Sequence, residues 1–248
     1  GSKDGICKFG DGDGSWTIDF WVKPQQVNPS ARKALFGFPT YSVTPDPDQA
    51  CMSFYSSTGP SWEITKGTIN HFFSDPNISS TIWQHITVSY EGPTNRTLRV
   101  FRNGKLLGSV DYATKNTGAV HGPFAPSDDL RIGGAHDGPG MASWFADFRI
   151  RKGVAITADF DPPTEPSTVP EGEEENTLLI QPYRMKKGVG NMNLEYGNDL
   201  YGATLAGSDG SITISDHVPV EGVGMKSIFF SDTSSAANSD AGGLAVKQ

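Results

Sequence analysis

The chain is 248 residues long, acidic with a formal net charge of −8, and rich in Gly (29) and Pro (17). Its Lys and Arg residues are scattered, which excludes a phosphate-gripping nucleic-acid surface, and net acidity disfavours anionic membranes. No apolar run approaches the roughly 20 residues of a spanning helix, and no 3.6-residue apolar rhythm lasts a helix length, which excludes long helices.

A chain of this size buries one large core, with room for a small appendage. Its Gly and Pro residues punctuate short apolar runs, a pattern of many strands joined by turns. The opening residues show no basic-then-apolar leader. Cys7 and Cys51 are the two cysteines. Neither sits in a CxxC motif or beside a His, so two thiols in a reducing compartment are expected, a disulfide being the alternative.

The first strand is predicted at Trp16–Lys23. Trp16, Ile18, Phe20 and Val22 share one face and read as core. Thr17, Asp19, Trp21 and Lys23 form the other, polar but for one large ring, as on a face partly covered or used for contact. Pro24 closes the strand. Ala34–Phe38 and Ala50–Tyr55 read as strands around the turn-rich stretch Thr44–Asp48. Trp83–Tyr90 alternates with Ile86, Val88 and Tyr90 inward. Leu98–Gly108 is a hairpin with Asn103-Gly104 at its tip, since Asn-Gly accepts the positive φ angles of a type I′ turn.

Leu130–Gly134 follows as a short strand, then the loop Ala135–Gly140. Trp144–Ile150 is predicted to put Trp144, Ala146, Phe148 and Ile150 on one, core-facing side. Asp161–Glu175 reads as an extended, solvated connector, because proline removes donors and the carboxylates repel. Thr177–Ile180, Ser211–Ile214 and Ser227–Phe230 are further strands.

Three segments in this order resemble the laminin-G-like (concanavalin A-like) jelly-roll family. They are "WTIDFWVKP" at 16–24, "WQHITVSYEG" with "LRVFRNGKLLGS" across 83–109, and "LRIGG" with "ADFRIRKGVAIT" across 130–157. The resemblance covers roughly residues 8–165 and implies an all-β fold, a two-sheet antiparallel jelly-roll sandwich. The run "FRIRKGVAITADFDPPTEP" at 148–166 is similar to the exit from such domains in bacteriophage tail-fibre and other virion proteins. The family's opening strands are absent from the start of the chain, yet "NTLLIQPY" at 176–183 and "VGMKSIFFSD" at 223–232 resemble them.

The predicted organisation is a sandwich over 1–165, an acidic Pro-rich connector over 166–176, strands over 177–230 and a flexible small-residue tail over 231–248. The strands over 177–230 are expected to complete the same sandwich, because a half-sandwich would expose edges and apolar faces. The alternative is the start of a second repeat.

Related jelly rolls include glycoside hydrolases. Retaining hydrolysis needs two carboxyl groups about 5–5.5 Å apart, which one strand face supplies from acids at i and i+2 or i+4. Asp19 is the lone acid of its strand, Glu63 stands alone near Trp62, and Glu173–Glu175 fall in the connector. No nucleophile elbow occurs, and Gly133–Gly138 is not followed by a helix, so no phosphate cradle is expected. The chain is therefore read as non-enzymatic.

The resemblance brings in calcium as the one candidate cofactor, with Asp11, Asp13 and Asp137 as metal-ligand candidates. A plain Asp-Gly turn at 11–14 is the simpler reading. Asp46, Asp48 and His136 are similar rim residues without a confirming partner, and His85 is expected to make a structural hydrogen bond. Glycan binding rests on rings that stack on sugars beside hydrogen-bonding side chains. Trp62, Phe72, Phe73 and Trp21 are the ligand-binding candidates, with Trp62 and the 71–73 stretch, read as a loop, foremost. Packing is the simpler reading of each, and of Trp144. The sequons at Asn77 and Asn95 carry no weight in a bacterial or phage setting.

The expectation is a virion-surface structural or adhesive protein, of tail-fibre, appendage or capsid-decoration type. Its partners would be other virion proteins, copies of itself and host glycans, with no nucleic acid and no membrane, at the virion surface or outside the cell. The alternative is a secreted or cell-surface lectin-like module, and a glycoside hydrolase comes third.

Overall fold

The computed structural model describes residues 14–27, 33–38, 50–55, 59–66, 69–92, 94–111, 130–133, 141–173, 176–180, 185–188, 191–196, 199–206, 212–215, 218–221, 225, 227–230 and 243–246. All regular structure among them is β. No helix there is long and apolar enough to cross a membrane.

Two antiparallel sheets make up the fold. The first is built on β1 (Trp16–Pro24), β6 (Gln84–Glu91), β7 (Thr97–Arg102), β8 (Lys105–Asp111) and β10 (Ser143–Lys152). It also takes β11 (Thr177–Ile180), β15 (Ile212–Ser215) and β16 (Ser227–Phe230), in the order β15-β16-β10-β1-β6-β7-β8 with β11 also on β10. The second holds β2 (Lys33–Phe38), β3 (Ala50–Tyr55), β4 (Ser61–Lys66), β5 (Ile69–Ser74) and β9 (Leu130–Ile132). To these it adds β12 (Met185–Gly188), β13 (Asn191–Tyr196), β14 (Asp199–Ala206) and β17 (Gly243–Val246), ordered β12-β13-β14-β17-β9-β2-β3-β4-β5. This is the two-sheet jelly-roll sandwich that the alternation and the resemblance imply.

Period-two alternation builds the core as predicted along β1 and β6. Trp16, Ile18, Phe20 and Val22 meet Ile86, Val88 and Tyr90, all buried. Phe20 is the hub: it stacks on Phe145 and Phe148 at centroid distances of 5.5 and 5.6 Å and meets Phe36 of the facing sheet edge-on at 5.7 Å. Burying such rings, at about 25 cal/mol per Å² of apolar surface, is the main force holding the two layers together.

The Asn103-Gly104 tip adopts positive φ at both residues, 49° and 73°, as a type I′ turn requires. β10 departs from its predicted alternation. Its register on β1 shifts between Asp19 and Trp21, and Asp147 there takes the left-handed conformation at φ 54°. This bulge inserts one residue and flips the facing of everything before it. Phe145 joins Phe148 and Ile150 in the core, while Trp144 and Ala146 move to the outer face opposite Lys23 and Trp21.

Residues 71–73 are a second correction. They lie in β5, paired with β4 in a hairpin that also carries Trp62, rather than in a loop. β11 and β16 both pair with β10, and β17 joins β9 to β14, so strands from beyond residue 176 lie in both sheets. Four residues of the predicted tail thus form a strand.

Candidate functional site

The outer face of the first sheet is polar by the alternation, yet its centre is buried. Thr17 and Asp19 of β1, His85, Thr87 and Ser89 of β6 and Asp147 of β10 are all at most 3 % exposed. Asp19 is the centre. Arg149, its cross-strand partner on β10, places Nη2 2.9 Å from Oδ1 and Nε 3.2 Å away. Arg151 reaches Oδ2 at 3.4 Å, and His85 Nε2 lies 3.6 Å from Oδ1, a contact more electrostatic than hydrogen-bonded. Burial alone would raise the Asp19 carboxyl. The His85 ring and the charges of Arg149 and Arg151 outweigh it and hold the group at about 2, below the ordinary 3.8.

What covers this face is the chain that leaves β10, residues 153–160, joined by Ser167 of the predicted connector. Residues 153–173 form a strap that crosses the sheet and returns. Leaving β10, the Gly153 N–H donates to the Ser15 carbonyl (2.7 Å). Thr17 Oγ1 donates to the Val154 carbonyl (2.8 Å), and the Ile156 N–H donates to Ser89 Oγ (2.7 Å). At the far side, the Phe160 ring packs edge-on against His85 and Phe101, and its N–H donates to the Gly104 carbonyl. Asp159 accepts from the Leu106 N–H, which with Lys105 holds its carboxyl below the usual range. On the return the Ser167 N–H donates to Asp147 Oδ2 (2.9 Å), and the Lys152 N–H meets the Asn176 carbonyl (2.8 Å) where β11 begins. The Asp147 bulge thus aims a carboxylate at the strap. Within the predicted connector, residues 161–173 stay mostly exposed, with Ser167 buried.

The second feature is the rim where the two sheets' outermost described strands, β5 and β8, face each other. A groove of about 220 Å³ runs there, lined by two contiguous runs, 71–74 of β5 and 107–110 of β8. β8 carries a bulge at Leu107, where its register on β7 shifts. Gly108 follows, and a Cβ on it would come within 3.2 Å of the Phe73 ring. Phe72, on the other face of β5, is 51 % exposed.

The ligand candidates separate on these facts. Trp62 is fully buried, packed on Phe54 at 5.2 Å, and its indole N–H donates to Asp75 Oδ2 at 2.8 Å. Asp75, itself buried, lies 3.2 Å from Arg102 Nε of the other sheet, so this trio ties the layers together at one end. A ring with no open face cannot stack on a sugar, which corrects the expectation for Trp62. Phe73, 5 % exposed, is core and underlies the groove. Trp21 is partly exposed on the outer face, edge-on to His85 at 5.1 Å. Phe72 is the most exposed of the four. The metal candidates Asp11, Asp13 and Asp137, with Asp46, Asp48, His136 and Cys7, lie outside the described residues, as does the side chain of Cys51. Among the described residues no group of three or more His, Cys, Asp or Glu side chains is placed to hold a metal.

Ser74, Gly108 and Ser109 went unnoticed in the sequence. A glycine inside the second arm of a hairpin was the available signal, since it marks a bulge or a close approach.

The two antiparallel sheets and their strand order define a concanavalin A-like sandwich. The chain belongs to the concanavalin A-like lectin/glucanases superfamily, whose family profile matches residues 8–157. No curated protein sequence matches the chain. Among solved structures it is similar to a native heptameric SAP-like pentraxin from Limulus polyphemus, at 20% identity and a TM-score of 0.42, covering 58% of this chain and 65% of that one. It is similar also to the Ruminococcus gnavus IT-sialidase CBM40 bound to α2,3-sialyllactose (14% identity, TM-score 0.34, 49% of this chain and 64% of that one). A third is the botulinum neurotoxin serotype G binding domain (11% identity, TM-score 0.41, 97% of this chain and 68% of that one). The chain thus spans just under two thirds of the first two. Function does not carry across at this distance.

Proposed function

We propose that the chain is a non-enzymatic structural and adhesive module of a virion surface, of tail-fibre, appendage or capsid-decoration type, that contacts host glycans. The observation that carries its non-enzymatic character is the engagement of the four buried carboxylates among the described residues. Asp19 is held by Arg149, Glu63 accepts from Ser53 Oγ, Asp75 accepts from Trp62, and Asp147 accepts from the Ser167 N–H. A carboxylate fixed in this way is poorly placed to protonate a leaving group or attack a sugar. Membership of a lectin-containing superfamily and the half-exposed Phe72 support glycan contact. The virion setting rests on the likeness of residues 148–166 to the exit of phage tail-fibre domains. The strap gives that run a physical role, as the clamp over an outer face.

Purified particles probed with an antibody to the chain test the location: the protein should co-sediment with them, and recovery only as a free secreted monomer overturns the virion reading in favour of a secreted or cell-surface lectin-like module. Release of new reducing ends from a panel of oligosaccharides would overturn the non-enzymatic assignment.

A further inference from the structure

We propose that the strap is a releasable guard: its tip blocks the outer edge of β8, and when it lifts, that edge pairs antiparallel with β8 of a second copy of this chain. β8 is the outermost described strand of its sheet, so one row of its backbone groups points away from β7. The pair Arg102–Lys105 closes the two-residue turn, and alternation along an antiparallel ladder then turns the next N–H, that of Leu106, outward. Asp159 Oδ1 accepts that N–H at 3.0 Å, and the neighbouring Phe160 N–H donates to the Gly104 carbonyl at 2.9 Å. The tip thus takes positions where an added strand would form its first bonds. Chain laid over an edge is one of the ways proteins keep a strand from pairing with other molecules.

What the guard holds back is a strand complementary to itself. β8 begins with a cation, Lys105, and ends with an anion, Asp111, and Leu106 to Val110 carry no charge. Antiparallel pairing with a second copy sets Lys105 of each strand beside Asp111 of the other, whereas parallel pairing would set like beside like. Lys105 gives up Asp159 when the strap lifts and gains that Asp111 in exchange. Leu106, 45 % exposed, adds apolar surface at the join. Lifting disturbs little of the sheet, because the feet of the strap are tied together where the Lys152 N–H donates to the Asn176 carbonyl at 2.8 Å. Glycines at positive φ, Gly153 at 76° and Gly172 at 84°, stand at its two ends. Among the described residues nothing lies within 4 Å of a Cβ placed on either, so both can turn as hinges.

The test follows self-association of the full chain by light scattering over a concentration series. Wild type is compared with Asp159→Ala and with Asp159→Ala/Phe160→Ala, each with and without Asp111→Lys. Removing the tip should tighten self-association by roughly tenfold or more over wild type. Asp111→Lys should reverse that gain by setting Lys beside Lys, and adding Lys105→Asp to it should restore the gain, since the charges match again. Hydrogen exchange should show β8 amides becoming protected as the released variant associates. Should the double variant fail to fold, Asp159→Ala alone, at a side chain 52 % exposed, must shift association in the same direction. Association no tighter than wild type in the folded variants overturns the proposal. A gain that Asp111→Lys leaves intact does so too, because it would arise at some other surface.

Discussion

Gly104 and Phe160 are in close backbone contact: the Phe160 N–H donates to the Gly104 carbonyl at 2.9 Å, and a Cβ on Gly104 would lie 1.8 Å from the Phe160 carbonyl oxygen. The glycine that closes the β7–β8 turn is thus also the seat of the strap. Gly104→Ala should cost more than the roughly 1–2 kcal/mol of placing an alanine at φ 73°, because backbone must also move. Limited proteolysis should then cut within 153–173 faster than in the wild type. A resistant variant would show that the strap is held elsewhere.

Asp19 balances two arginines in a buried setting, and removing it leaves them uncompensated. Asp19→Asn, nearly isosteric, should destabilise the fold by about 3 kcal/mol. Chemical denaturation at neutral pH measures this, and a change below about 1 kcal/mol would mean that solvent already screens Arg149 and Arg151.

The same carboxylate predicts an acid limb. Its pKa is depressed on folding, so its contribution is complete above the unfolded value of 3.8 and is lost as pH falls through about 2. The drop corresponds to about 2 kcal/mol. Denaturation midpoints measured from pH 5 to pH 2 should show that loss in the wild type, and a correspondingly shallower fall in Asp19→Asn.

Trp62 is a strut between layers. Trp62→Ala should cost about 3–5 kcal/mol through the cavity, with a further penalty for the Asp75 Oδ2 that loses its indole donor. Trp62→Phe isolates the second part, and its melting temperature should fall between those of Trp62→Ala and wild type. Equal melting temperatures for Trp62→Phe and wild type would deny the Asp75 bond any net value.

β11 and β16 cover the outer edge of β10. We propose that residues 177–230 belong to the same folding unit as 1–165. A chain ending at Asn176 should therefore expose that edge and aggregate. A soluble, monomeric truncation with a wild-type melting temperature would show the two parts to be independent.

Residues within one strand or turn determined a large share of this protein by themselves. Alternation in 16–23 and 84–90 assigned the core face, because side-chain direction along a strand is a local property. Asn103-Gly104 specified its turn because few other pairs accept both φ angles. Local pattern failed at Trp144, where one left-handed residue, Asp147, reverses the facing of the residues before it. At Trp62 it left packing and ligand contact both open, and the facing sheet decides between them, since the ring lies in the core between the layers.

Tertiary structure alone decided what becomes of the faces that alternation draws. The polar face of β1 reads identically whether water or chain lies over it, and the groove exists only where edges of two different sheets meet. The bond from Thr17 to Val154 spans 137 residues. No local pattern records such a contact, because its energy depends on where two distant segments come to rest rather than on the neighbours of either.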